Sequence, residues 1–126
     1  MKGLYASAAL LGPLLGLAAA PCQAEPWACA FTVECIAGEA CLAAAYEVDI
    51  LAADHEGRLF LSSIVADTPA TRLTAEKARP ASYAGISGDG LAEMITIRAD
   101  STARMTAHMF DGPAMAITYF GTCEAL

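Results

Sequence analysis

Cysteines, two histidines and scattered carboxylates are the residues in this chain whose types could do chemistry, and their spacing decides which kind. Cys29, Cys35 and Cys41 fall within one stretch, WACAFTVECIAGEAC, and Cys123 lies three residues from the C-terminus. Thiolates so placed could ligate zinc, but the gap between Cys35 and Cys41 is wider than that of metal-finger pairs. His55 stands between Asp54 and Glu56, the makings of an acid–base or metal cluster. Neighbours in a turn point in different directions, however, and one imidazole with two exposed carboxylates is a thin ligand set. His108 alternates with the methionine face of its segment and should face solvent. Gly85-Ile86-Ser87-Gly88-Asp89 falls one glycine short of a nucleophile elbow, with no helical pattern behind it. Gly88-Asp89-Gly90 lacks the spacing of a phosphate-cradling loop. Met94, Met105, Met109 and Met115 could offer soft metal ligands, yet alternation puts Met105, Met109 and Met115 on buried faces, where they would pack. No catalytic, cofactor-binding or metal-binding residue is expected.

The compartment gives the cysteines another use. Lys2 is followed by an apolar run from Leu4 to Ala20, and small residues lead to Ala24, so Met1 to Ala24 reads as a secretory signal cleaved after Ala24. Gly12, Pro13 and Gly16 interrupt the run, which argues against a spanning helix. Pro21 argues against lipidation of Cys22. Cleavage leaves 102 residues, enough for one domain with one core. In a periplasmic or secreted setting the four remaining cysteines should form disulfides. The mature chain carries six basic and fourteen acidic residues, a net charge of −8. That surface disfavours nucleic acid and anionic lipid and favours a cationic partner, with no stable membrane insertion once the signal is gone.

Strand signals must position these groups. Trp27, Cys29, Phe31 and Val33 alternate with small or polar residues, as a strand with one buried face does. Extended chain from Cys29 to Cys35 spans roughly 20 Å, beyond the roughly 7 Å that bridged Cα atoms tolerate. Gly38 lets the chain reverse between Cys35 and Cys41. The adopted pairing is therefore Cys35 with Cys41 and Cys29 with Cys123, while Cys29 with Cys41 and Cys35 with Cys123 is also geometrically allowed. Tyr46-Glu47-Val48-Asp49-Ile50 alternates apolar with acidic, a turn follows at Asp54 to Gly57, and Arg58 to Val65 should pair back antiparallel. Asp67 to Pro80 reads either as a short helix capped by Thr68 or, by preference, as an edge strand around Thr71 to Glu76. Ser82 to Ile86, Leu91 to Arg98, Ala103 to Met109 and Met115 to Cys123 complete the set. Seven or eight short strands imply an all-β antiparallel meander, a small barrel or tight sandwich stapled by two disulfides.

With its opening WACAFTVEC and closing AITYFGTC, the chain resembles small exported two-disulfide bacterial proteins of unknown function. In size and architecture it is similar to periplasmic inhibitors of c-type lysozyme. Those inhibitors use a loop with a Ser-Gly pair followed by Tyr, and only Ser82-Tyr83 stands here, so no inhibitory residue carries over. The resemblance implies a non-enzymatic binding or accessory protein of the cell envelope, with a cationic hydrolase as one partner class. A small hydrolase is the alternative, for which the sequence lacks paired functional groups.

Overall fold

Eight antiparallel strands follow one another in the computed structural model, which describes residues 24–126 together with Gly12, Pro13 and Gly16. They are β1 (Trp27–Ile36), β2 (Leu42–Leu51), β3 (Leu59–Ser63), β4 (Asp67–Arg72), β5 (Ala81–Ile86), β6 (Leu91–Ile97), β7 (Thr102–Met109) and β8 (Met115–Ala125). Each pairs with the next, and β8 returns to β1, so the sheet closes into a barrel. Closure leaves no unpaired strand edge. Most of the segment read as a signal, Cys22 included, lies outside the described residues.

An eight-stranded barrel is just wide enough for its own side chains to fill. Phe31, Val48, Ile50, Leu61, Tyr83, Ile95, Ile97 and Met105 do so, none more than 1% exposed. Period-two alternation places them, because every second residue of a strand shares a face. Cys29 and Cys123 are direct partners across the β1–β8 seam and form one disulfide. Cys35 and Cys41 form the other, closing the β1–β2 turn, where Gly38 takes a positive φ of 83°. Two disulfides fit an oxidising, extracellular environment.

Two expectations need correction. Residues 71–76 are not an edge strand: β4 runs from Asp67 to Arg72 and is paired on both sides, and no helix forms there. Its inward positions are Thr68, Ala70 and Arg72, so the strand buries little apolar surface and its alternation is faint in the sequence. Val33 does not extend the buried face of Trp27, Cys29 and Phe31. A bulge between Phe31 and Val33 shifts the register against both neighbours. Beyond it Val33 pairs with Phe120 on the outer wall, while Glu34 pairs with the inward Tyr119. Bulges change which residues face in, and this one turns a carboxylate inward.

Gly121 sits opposite that bulge. A Cβ there would overlap the Ala30 carbonyl oxygen and lie 2.7 Å from Phe31 Cα, both backbone atoms that cannot move aside singly. Gly121→Ala should therefore force the seam apart and destabilise by about 1 to 3 kcal/mol. Gly88→Ala, with nothing within 4 Å of the new carbon, should be close to neutral. Urea unfolding of the two variants side by side measures the difference, and equal midpoints would contradict it.

Candidate functional site

The strand directions give the barrel two unlike ends. One end, the base, carries residues 24–26, the C-terminus and the connections at 52–58, 73–80 and 98–101. The other, the mouth, carries the connections at 37–41, 64–66, 87–90 and 110–114. Each end has a buried carboxylate, and the two are treated differently.

At the base, the Glu25 side chain is 4% exposed and is neutralised. Arg72 Nε donates to Glu25 Oε1 at 2.8 Å while Arg72 Nη2 reaches Glu25 Oε2, a fork that matches the carboxylate. Burial pushes the Glu25 carboxyl up, but hydrogen bonds from Arg72, Tyr83 and the backbone outweigh it, and its pKa lies below the ordinary value. Burial, followed by the hydrogen bond to Glu25 and then the Glu25 charge, raises the Tyr83 phenol. The Arg79 guanidinium stacks 4.6 Å from the centre of the Trp27 ring. These groups plug the base.

At the mouth, Glu93 is 6% exposed. It faces inward with its ladder partners Gly85 and Ala107, neither of which can neutralise it. No hydrogen bond or ion pair reaches its carboxylate among the described residues, and burial raises its pKa. Tyr46 and Tyr119 stack on each other, with centroids 5.1 Å apart. Burial raises the Tyr46 phenol, Ser63 opposes the rise, and the Glu93 charge adds to it. Burial also raises Tyr119, followed by the charges of Glu34, Tyr46 and Glu93. Glu34 is brought inward only by the β1 bulge. Glu34 and Glu93 are thus the two acidic groups whose charge, where ionised, acts on the neutral Tyr119 phenol.

An apolar collar surrounds this end of the barrel. Among the described residues, seven of the twelve exposed large apolar side chains belong to the mouth: Leu42 opening β2, Ile64 and Val65 in the β3–β4 connection, Ile86 closing β5, Phe110 after β7, and the ladder pair Met109 and Met115. Ile64 is 95% exposed. Exposed apolar groups gathered at one end mark an interaction surface more than scattered ones do. Met109 and Met115, expected in the core, point inward but lie at the rim and are 37% and 41% exposed. An inward position at a strand end opens on the mouth instead of the core.

Apart from the disulfide cysteines, the residues singled out from the sequence form no common site. His55 is at the base, its side chain 86% exposed and 3.7 Å from Glu56. Asp54 accepts the amides of Glu56 and Arg58 and the Arg58 Nε, so it builds the turn. His108 is exposed on the outer wall of β7, paired with Ala92 and Ala116. Ser87 caps a turn, accepting from the Asp89 amide. Among the described residues no three potential metal-ligating side chains converge. Ser82 and Tyr83 lie within β5, both buried, and Ser82 shares a hydrogen bond with Thr96 at 2.8 Å. No family model, curated protein or solved structure matches this chain.

The unneutralised Glu93 has a consequence for stability. Its folded pKa lies above the unfolded value near 4.5, so between the two values the native state keeps a proton that the unfolded chain has released. Stability attributable to this group is present below the unfolded pKa and is lost as pH rises through the folded one. Glu93→Gln should therefore stabilise the barrel by about 1 kcal/mol at neutral pH and change little in acid. Urea midpoints at both pH values test this, and a loss at neutral pH would contradict it.

Proposed function

We propose that this protein is an exported, non-enzymatic binding domain whose mouth docks onto a cationic partner protein. One observation carries the reading: exposed apolar side chains gather at the end of the closed barrel where Glu34 and Glu93 face inward. The collar supplies area that is favourable to bury, and the acidic residues set the sign of the partner. A mature charge of −8 acts in the same direction at longer range, steering cationic surfaces toward the protein.

A c-type lysozyme is the partner to try first, because the chain resembles lysozyme inhibitors in size and architecture. The oxidised domain should bind lysozyme and slow its hydrolysis of cell walls in dilute buffer. Association should weaken as ionic strength approaches about 0.15 M, where the Debye length falls to about 8 Å. Absence of both binding and inhibition in dilute buffer would overturn the lysozyme reading.

A further inference from the structure

Basic residues are scarce in this chain, seven against fourteen acidic ones, and most of the arginines are engaged within it. Arg58 pairs with Asp54 and Glu56, Arg72 pairs with Glu25, and Arg79 lies over the Trp27 ring. Arg98 and Arg104 differ: among the described residues neither has a hydrogen bond or ion pair with a carboxylate. Asp100 is close to Arg98 in sequence, but its Oδ1 accepts from the Thr102 amide at 3.0 Å and from the Thr102 hydroxyl at 2.6 Å. The ladder then sets the two cations together. Arg98, just past β6, donates its amide to the Thr102 carbonyl at 2.9 Å and so stands opposite Thr102, while Thr96 pairs with Arg104. Arg98 and Arg104 are therefore diagonal neighbours on the outer wall, a spacing of roughly 7 to 8 Å that long side chains bridge. Two guanidiniums so placed repel each other unless an anion lies between them.

A groove of about 550 Å³ lies over this corner, with Thr96, Arg98, Thr102, Arg104 and Phe120 in its lining and no acidic residue. That size falls in the range of small-molecule sites, about 300 to 1,000 Å³, and far exceeds a bare inorganic anion. The Arg104 guanidinium is held 5.2 Å from the centre of the Phe120 ring, which fixes its plane and leaves its N–H edge to donate. One guanidinium fork matches a carboxylate or a phosphate equally well, and the presence of two decides between them. A phosphate monoester carries close to two negative charges and three acceptor oxygens, enough for both arginines, whereas a carboxylate carries one charge. The volume beside Phe120 is left for the organic part of the ester. Anionic polymers and anionic bilayers are disfavoured by the net charge of −7, so the occupant that fits is a small soluble molecule.

We propose that the groove on the outer wall of β6, β7 and β8 binds the phosphate monoester group of a small soluble organic molecule, with Arg98 and Arg104 as its counter-ions and the Phe120 side holding the organic part. The groove lies away from the mouth, so it stands or falls independently of the docking reading. The probe is phenyl phosphate, titrated into the oxidised domain at about pH 8 and fixed ionic strength while amide chemical shifts are followed. Benzoate keeps the ring and offers a single charge. Inorganic phosphate keeps the charge and lacks the ring.

Phenyl phosphate should produce saturable shifts at Thr96, Thr102, Arg104 and Phe120, and should bind about tenfold or more tightly than benzoate or inorganic phosphate. Arg98→Gln and Arg104→Gln should each weaken it by about tenfold or more. Arg58→Gln, beside β3 and across the barrel from β7, removes the same charge and should leave the affinity unchanged. The circular dichroism of each variant verifies folding. No saturable shift, unchanged affinity in either groove variant, or equal binding of benzoate or inorganic phosphate would overturn the proposal. So would co-sedimentation with phosphatidylcholine vesicles containing phosphatidic acid that is lost in Arg104→Gln, because it would give the groove to a lipid headgroup.

Discussion

Replacing both Cys29 and Cys123 with alanine should lower the stability of the oxidised protein by about 4 to 5 kcal/mol, whereas replacing Cys35 and Cys41 should lower it by about 2 to 3. The difference is loop size. The first bridge joins residues 94 apart and restrains nearly the whole unfolded chain, and the second joins residues only 6 apart. Alanine is preferred to serine because Cys29 and Cys123 are 2% and 1% exposed, and a hydroxyl at either would add an unsatisfied polar group. Double variants avoid stranding a free thiol. The larger loss is a large fraction of the roughly 5 to 15 kcal/mol typical of a whole domain, so the first variant should also unfold at a much lower temperature. Equal losses from the two pairs would contradict the account of the seam.

Arg72→Ala should destabilise by about 3 kcal/mol near neutral pH, because it leaves the buried Glu25 carboxylate with no counter-charge. The sign of the pH dependence is fixed. Glu25 titrates below its unfolded value, so its stabilising contribution is complete above that value and is lost as pH falls through the folded one. The gap between wild type and Arg72→Ala should therefore be widest at neutral pH and should narrow in acid. Urea unfolding across that range measures it, and a gap that does not change with pH would show that Arg72 acts through packing alone.

The part of this architecture that depends on alternation and on strand reach was legible in the chain. Tyr46 to Ile50 and Ala103 to Met109 announce strands, and the distance from Cys29 to Cys35 points to the pairing that the structure shows. Less visible were features that alternation hides. The bulge after Phe31 leaves no mark in composition, yet it decides that Glu34 faces inward and Val33 outward. β4 carries Thr68 and Arg72 on its inner face, where a hydrophobic pattern is sought and not found. Thr68 is 1% exposed, so its position is as buried as any leucine's. Glu93 shares the parity of Ile95 and Ile97 and so sits on the apolar face of its strand, a signal present in the sequence. A carboxylate in that place is a more informative residue than the histidines, which stand on a turn and on the outer wall. The rim methionines were assigned to the right face and the wrong depth, because alternation gives the side of a strand and says nothing of how close a residue lies to the barrel's end.

The central claim is that one end of the barrel does the binding, and a footprint tests it most directly. Amide chemical shifts of the oxidised domain should be followed as c-type lysozyme is added at about 0.01 M ionic strength, where the Debye length is about 30 Å. The account predicts that perturbed residues cluster in the connections at 37–41, 64–66, 87–90 and 110–114, with Ile64, Val65 and Phe110 among the most affected. Perturbations confined to the base or to the outer wall around Arg104, or none at all, would contradict it.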